Sequence, residues 1–269
     1  MTSMKAMMRA LALASFGLMS TAAAGRAEEI VVTHYGSLLY GVPYAIAMEK
    51  GWFKQAGVDV SGILTSKGGG TSVRNMMAGD TLFAEVALPA ALNSWNVPVA
   101  DVKMIAIGDF GAGLTALEHN KVDVAIIPEP IYSQKEKSGQ KYKVLPWLDE
   151  KLPAYTQTVT IATDEVIAKR GDKLRAVIEA RRKGVEFLYA NPAESAAILA
   201  KAYNLSPDVA TSALNNILKM NPTWWSAGEL KQPLMEAMAE ALGSVGALQL
   251  PIDWKVAIQP GFQPAAKTQ

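Results

Sequence analysis

A glycine-rich run between a predicted strand and a predicted helix is the segment of this sequence best suited to bind a small molecule. It consists of Ser66, Lys67, Gly68, Gly69, Gly70 and Thr71. Because glycine has no Cβ, the backbone can approach a ligand closely, and the free N–H groups at a helix N-terminus favour an anion. Lys67 adds positive charge, and Thr71 is the predicted cap of the helix. We predict a binding loop here, with a flexible surface turn as the alternative.

Two other segments place polar side chains at the ends of predicted strands. The turn His34, Tyr35 and Gly36 follows the first strand, and Glu129 follows a later strand between two prolines. Because proline restricts the preceding residue to extended backbone, we expect Glu129 to accept a hydrogen bond from a ligand or from a facing lobe. The alternatives are a solvated acid at Glu129 and a purely structural hydrogen-bonding role for His34.

The residue types present exclude several chemistries. The chain has no cysteine, which excludes disulfides, thiolate catalysis and Cys-ligated metals. His34 and His119 are its two histidines, they lie far apart in sequence, and His119 is predicted on the surface. The chain lacks a Gly-x-Ser-x-Gly elbow and paired acids for hydrolysis, and no Gly-Lys-Ser/Thr follows the glycine run. We therefore predict no catalytic residue, no metal and no cofactor.

The N-terminus has the layout of a secretory signal. A basic start is followed by the apolar run Ala10–Ser20 and the small-residue stretch Thr21–Ala27, with cleavage expected after Ala24 or Ala27. A membrane anchor is the alternative, but the run is short for a bilayer. Loss of this segment removes three cations and changes the net charge from +1 to about −2, which argues against nucleic acid as a partner. We expect an exported periplasmic protein.

Strands and helices alternate in the first third of the chain, and helices dominate the last third. The predicted strands are Ile30–Thr33, Val58–Leu64 and Leu82–Leu88, and the predicted helices between them are Pro43–Lys50 and Thr71–Met77. This alternation is typical of a parallel sheet covered by helices. Four amphipathic helices are then predicted to begin near Asp172, Asn191, Ser206 and Ser226, the last at a capping box. Trp224 and Trp225 are expected in the core, with a wall of the cleft as the alternative. The fold class is therefore α/β with a helical C-terminal layer.

The chain also resembles itself at an offset of 41 residues. Gly70 then aligns with Gly111, Met76 with Leu117, and Pro89 with Pro130. Each copy has a glycine loop, a short helix, a buried strand and a proline, which predicts a strand at Val122–Ile127. Two similar lobes would leave this pattern, although the matches are few enough for chance to explain them.

As a set, several motifs resemble the periplasmic substrate-binding proteins of ABC importers of the nitrate/sulfonate/taurine type. The motifs are Met48–Phe53, Gly57–Val60, Gly68–Thr71, Ala78–Asp80, Gly113–Glu118, Val122–Ala125, Glu129–Pro130, Arg181–Gly184 and Tyr189–Pro192. The resemblance implies a type II-like periplasmic binding fold, with two lobes that close on a ligand about a hinge. It places residues 34–37 and 66–71 on one wall of the cleft and Glu129 on the other. It also implies a monomer that binds a small molecule and meets an ABC permease in the inner membrane.

The chain is shorter than this family leads one to expect, and the shortfall falls between Leu92 and Trp95. A hinge strand and the start of the second lobe are therefore predicted to be absent, in either a degenerate copy or a reduced but folded variant. The predicted boundaries are a signal at 1–27, lobe I at 28–92, a truncated lobe II at 93–165 and C-terminal helices at 166–269 packing mainly on lobe I.

Two other functions compete with solute binding, and the ligand itself is open. Pyrimidine-precursor synthases of thiamine synthesis share the fold, but they depend on cysteine and histidine elements, and this chain has no cysteine. A degenerate copy that has lost transport is the other alternative. Nitrate, a sulfonate, bicarbonate or an amine-like molecule would each suit a glycine loop with one acid opposite.

Overall fold

One mixed sheet carries the first part of the fold. The computed structural model describes residues 28–33, 39–66, 69–87, 109–144, 155–244 and 250–264. Its strands are β1 (Glu28–Thr33), β2 (Val60–Ser66), β3 (Ala84–Ala87) and β4 (Thr158–Ile161), in the spatial order β2-β1-β3-β4. β1 pairs in parallel with β2 and β3, and β4 runs antiparallel to β3. The predicted parallel arrangement of the first three strands is therefore confirmed.

Helices make up most of the remaining described chain. They are α1 (Val42–Glu49), α2 (Trp52–Gln55), α3 (Gly69–Met77), α4 (Phe110–Glu118), α5 (Ile131–Lys137), α6 (Asp164–Ala190), α7 (Pro192–Tyr203), α8 (Pro207–Met220), α9 (Gln232–Ser244) and α10 (Trp254–Ala257), followed by a 3-10 turn at Pro260–Phe262. α6 is kinked at Arg170, where the backbone leaves helical geometry (φ −135°, ψ 21°). Within the described residues, no helix is both long and apolar enough to span a bilayer.

α1 is the central element of the core. Six of its residues are buried, from Val42 to Ala47, as expected for a helix that is apolar on all sides. One side packs into a cluster with α6, α7 and α8 that includes Leu188, Leu199 and Leu214. The other side packs into a cluster with Phe83 and the N-terminal half of α6. The sheet and the C-terminal helices are thus held together through α1.

Local sequence signals predict two of the four C-terminal helix beginnings correctly, at Asn191 and Ser206, whereas the helix expected near Asp172 already begins at Asp164. Asn191 stands at the N-cap of α7 with Pro192 in the first turn, and the Ser206 hydroxyl accepts a hydrogen bond from Val209 N at the start of α8. Glu194 in the first turn of α7 pairs with Lys50, the residue that follows α1, so this contact ties the start of α7 to the end of α1.

Other expectations about individual elements are wrong. The predicted capping box at Ser226 starts no helix, since α9 begins at Gln232. Val122–Ile127 forms no ladder with any described strand, and Val124 and Ile126 are 65% and 63% exposed. A strand needs at least one neighbouring strand to pair its backbone N–H and C=O groups. Here the apolar pattern is present, but no described strand pairs with it.

Candidate ligand-binding site

Two of the predicted binding segments, residues 34–36 and the glycine run, come at the carboxyl ends of β1 and β2, which lie side by side. β1 and β2 are paired to their last residues, with Thr33 opposite Ser66. In parallel strands the carboxyl ends lie at the same edge of the sheet, the edge at which open α/β folds bind ligands. β3 is parallel to β1 and ends at this edge as well. The turn His34, Tyr35 and Gly36, and Lys67 and Gly68, lie outside the described residues.

The helix after the glycine run begins earlier than predicted. α3 starts at Gly69, so Gly69 and Gly70 lie in its first turn and Thr71 is inside the helix rather than at its cap. Two residues separate Ser66 of β2 from Gly69, so the first N–H groups of α3 follow closely on the end of that strand. Free N–H groups at such a position are donors for an anion.

Arg74 stands in the last turn of α3, and its side chain reaches back toward the first turn. Its guanidinium Nη2 donates to the Thr71 hydroxyl over 2.9 Å, so the charge is held next to the first turn of the helix. Arg74 is exposed and remains accessible to a ligand in solution. Sequence reasoning missed Arg74, although its spacing of three residues from Thr71 places both side chains on one face of the helix.

Glu129 is bound by donors from two helices. Its Oε1 accepts hydrogen bonds from Asn216 Nδ2 (2.7 Å) and Ser133 Oγ (3.0 Å), and its Oε2 accepts from Ser133 N (3.1 Å). Ser133 is fully buried in α5, and Asn216 belongs to α8. The hydrogen bonds of Glu129 thus run to α5 and α8, whereas its predicted contact with a ligand stays a prediction.

The aromatic pair and the second histidine have defined places. Trp225 is 4% exposed and donates from Nε1 to Leu39 O over 3.1 Å, which confirms its predicted place in the core. Trp224 is half-buried and stacks on Tyr40, with ring centroids 6.5 Å apart. His119 is exposed at the end of α4, as expected, with Nδ1 2.8 Å from the carbonyl of Thr115.

A cavity on the described surface lies apart from the predicted site. It has a volume of about 580 Å³, lies against α4 and is lined by Ala112, Thr115, Ala116, His119 and Lys121. Within the described ranges, no group of three or more His, Cys, Asp or Glu side chains is placed to hold a metal ion.

A family model described as NMT1/THI5 like matches residues 77–195 of the chain. The match begins at the end of α3 and finishes in α7, so it includes Glu129 and six of the nine motifs quoted above, but not the glycine run. A search of curated proteins found no match.

Solved structures similar to this chain include several binding proteins. The alkanesulfonate-binding protein SsuA from Xanthomonas axonopodis pv. citri is 12% identical with a TM-score of 0.61, over 83% of this chain and 94% of that one. The aliphatic sulphonate binding protein SsuA from Escherichia coli is 13% identical with a TM-score of 0.58, over 86% and 97%. A ligand-binding component of an ABC-type import system from Staphylococcus aureus is 14% identical with a TM-score of 0.62, over 87% and 97%.

This chain has the periplasmic-binding-protein fold. The resemblance inferred from the sequence motifs is thus supported by the family model and by the structural neighbours. In this example of the fold, the described residues are mostly helical, with four strands in one sheet.

Besides Arg74, sequence reasoning did not single out Ser133 and Asn216, the two residues that donate hydrogen bonds to Glu129. Ser133 follows Glu129 by four residues, a spacing that a helix start makes plausible from sequence. Asn216 lies 87 residues beyond Glu129, and nothing in the local pattern of α8 indicates that its side chain bonds an acid.

Proposed function

We propose that this protein is the solute-binding component of an ABC importer. It is exported to the periplasm with its signal cleaved near Ala24 or Ala27, and it captures a small anionic or polar solute of the sulfonate, nitrate or taurine kind. It then delivers the solute to a permease in the inner membrane. A monomer is the expected functional unit, and ligand contacts made to two lobes would favour their closure.

The observation that supports this proposal best is the junction between β2 and α3. A strand ending at Ser66 is followed within three residues by a helix starting at Gly69, at the edge where β1 also ends at Thr33. This arrangement places the N-terminus of α3, with the Arg74 side chain bonded to Thr71 in its first turn, at the edge where α/β folds bind ligands. Structural neighbours named for alkanesulfonate binding are consistent with an anionic ligand.

We propose a site made of His34, Tyr35, Gly36, Ser66, Lys67, Gly68, Gly69, Gly70 and Thr71, with Glu129 on the opposite side. In this arrangement residues 28–92 supply the first wall, and residues 93–165 supply the second. Residues 166–269 form the helical layer that supports lobe I. A hinge strand missing between Leu92 and Trp95 would leave the second wall shorter than the first.

The test is a thermal-shift measurement on the mature chain with taurine, ethanesulfonate, nitrate and bicarbonate. A ligand that binds the folded state at about 100 times its Kd stabilises it by about 2.7 kcal/mol, so the melting temperature rises measurably. Gly69→Leu places a bulky side chain in the first turn of α3 and is expected to abolish the shift.

Gly113→Leu is the matched control, because a Cβ at Gly113 in α4 meets no heavy atom within 4 Å. It should retain the shift of the unaltered chain. If Gly69→Leu shifts as strongly as Gly113→Leu, the site lies elsewhere. If none of the four compounds changes the melting temperature, the proposed class of ligand is wrong.

An enzyme on the same fold is the second candidate, because the matching family model is described as NMT1/THI5 like. The pyrimidine-precursor synthases considered above depend on cysteine and histidine elements, and this chain has no cysteine and two histidines. One of these, His119, is exposed beside α4 and bonded to its own helix. We therefore favour binding without catalysis.

A further inference from the structure

The segment Asp109–Val144, which contains α4 and α5, is attached to the remaining described chain chiefly through one helix pair. α5 packs against α8, and this is the main packing contact between that segment and the other described helices and strands. α8 itself belongs to the helical core: it packs against α7, and its apolar residues Ala213, Leu214 and Ile217 are buried. Among the described helices and strands, this segment therefore meets the helical core mainly through the α5–α8 pair.

A polar cluster lies at this place. The carboxylate of Glu129 accepts from Ser133 N, Ser133 Oγ and Asn216 Nδ2, and Asn216 Nδ2 also lies 3.3 Å from Ser133 Oγ. Glu129 and Ser133 belong to the attached segment, whereas Asn216 belongs to the core helix α8. The hydrogen bond between Glu129 and Asn216 therefore crosses from the attached segment to the core.

The surroundings make this hydrogen bond strong. Ser133 is fully buried and Asn216 is partly buried, so water competes poorly for the carboxylate. Hydrogen bonds to a charged group are stronger than those between neutral groups, and a partly buried carboxylate that loses a donor is destabilised. When the hydrogen bond between Glu129 and Asn216 breaks, Glu129 and Ser133 remain bonded to each other. The segment can therefore separate from α8 with this pair intact.

We propose that Glu129, Ser133 and Asn216 form the joint on which the segment Asp109–Val144 detaches from and closes onto the C-terminal helices. The joint sets how often the segment opens while the core of α6, α7 and α8 stays folded. This role does not depend on the identity of any solute, and it stands even if the protein binds none.

The experiment is amide hydrogen exchange measured by mass spectrometry on the mature chain. Asn216→Ala removes the donor from α8, and peptides covering α4 and α5 are expected to exchange roughly ten- to hundredfold faster. Peptides from α6 and α7 should keep their rates. Asn215→Ala is the matched control, since Asn215 is the exposed neighbour on the same helix and should leave every peptide unchanged.

A second pair of variants tests the same contact by exchanging the donor and acceptor roles of Asn216 and Glu129. Asn216→Asp brings two carboxylates together and should open the segment, whereas adding Glu129→Gln returns a donor to the pair and should restore slow exchange. Unchanged exchange of α5 in Asn216→Ala would overturn the proposal. Equal acceleration of α6 and α7, or no rescue by the double variant, would assign Asn216 to global stability instead and would also overturn it.

Discussion

The absence of a Cβ at Gly184 allows α1 and α6 to approach each other closely. A Cβ at Gly184 of α6 would lie 2.2 Å from the carbonyl oxygen of Pro43 in α1, closer than any real contact. α1 and α6 are the most extensively packed helix pair of the described chain, and both contribute to the core clusters. Gly184 therefore determines the spacing of the helices that hold the molecule together.

Gly184→Ala is expected to destabilise the protein by about 1–3 kcal/mol or more, because the clash is with backbone and cannot be relieved by a side-chain rotation. Urea unfolding of the variant and the parent measures the loss. Gly113→Ala is the control: its Cβ meets open space, and alanine in place of glycine in a helix should stabilise by about 0.5–1 kcal/mol. Equal stability of the two variants would contradict the packing described for α1 and α6.

The Tyr189 hydroxyl fixes the backbone at the tryptophan pair. It donates to Trp225 O (3.0 Å) and accepts from Trp225 N (2.9 Å), and burial raises the pKa of this tyrosine. Tyr189→Phe keeps the shape of the ring but leaves both backbone groups without their partner. We expect a loss of about 2 kcal/mol in the free energy of unfolding.

Tyr132→Phe provides the comparison for this substitution. Tyr132 makes a long hydrogen bond of 3.4 Å to Glu136 on an exposed helix face, so its removal should change stability by less than about 0.5 kcal/mol. If the Tyr189 and Tyr132 variants unfold at the same urea concentration, Tyr189 has no special role at Trp225.

At the scale of elements, both copies of the sequence repeat form the predicted helix, but only the first copy forms the predicted strand within the described residues. α3 and α4 begin and end at positions offset by the same 41 residues that align Gly70 with Gly111. The strand that follows α3 forms β3, whereas its counterpart at Val122–Ile127 forms no ladder in the described chain. Helix positions follow from local caps and periodicity, but a strand also requires a neighbouring strand.

The start of α4 depends on Asp109, whose carboxylate accepts a hydrogen bond from Ala112 N over 2.9 Å. Asp109→Ala removes this cap and should destabilise the helix by about 1 kcal/mol, seen as faster amide exchange in the first turn of α4. Asp109→Ser keeps an acceptor at the cap and should exchange nearly as slowly as the parent. Equal acceleration by both substitutions would show that the charge, rather than the cap, is what matters.

At the scale of the whole molecule, apolar side chains are exposed on the attached segment. Val124, Ile126 and Val144 are each more than 60% exposed, unlike the fully buried leucines of the helical core. Exposed apolar residues of this size favour association or the covering of the surface by another segment. Within the described residues, the buried core thus lies in α1 and the C-terminal helices, whereas three of the four most exposed large apolar side chains lie on this segment.

Val124→Thr combined with Ile126→Thr tests this exposure. If both side chains are in water, the added hydroxyl groups should change stability by less than about 0.5 kcal/mol and should lower the binding of an apolar dye. If they are buried in the folded protein, each hydroxyl should destabilise by about 1–3 kcal/mol. Thermal unfolding together with dye fluorescence separates these two outcomes.

The local sequence determined much of the fold. Asn191 with Pro192 and Ser206 with Pro207 begin helices where their caps predict, and the strand-glycine-helix order around Ser66 and Gly69 appears as expected. These features are determined within a few residues, by backbone conformational preferences and by orphan N–H groups that a nearby side chain can satisfy. The fold class follows from the same local signals repeated along the chain.

Tertiary structure alone decided which distant groups meet. Glu129 finds Asn216 across 87 residues, Gly184 meets the carbonyl of Pro43, and Glu194 pairs with Lys50. Val122–Ile127 has the composition of a buried strand, yet lacks a paired strand in the described chain. Such outcomes depend on packing between elements far apart in sequence, and periodicity and caps carry no information about those contacts.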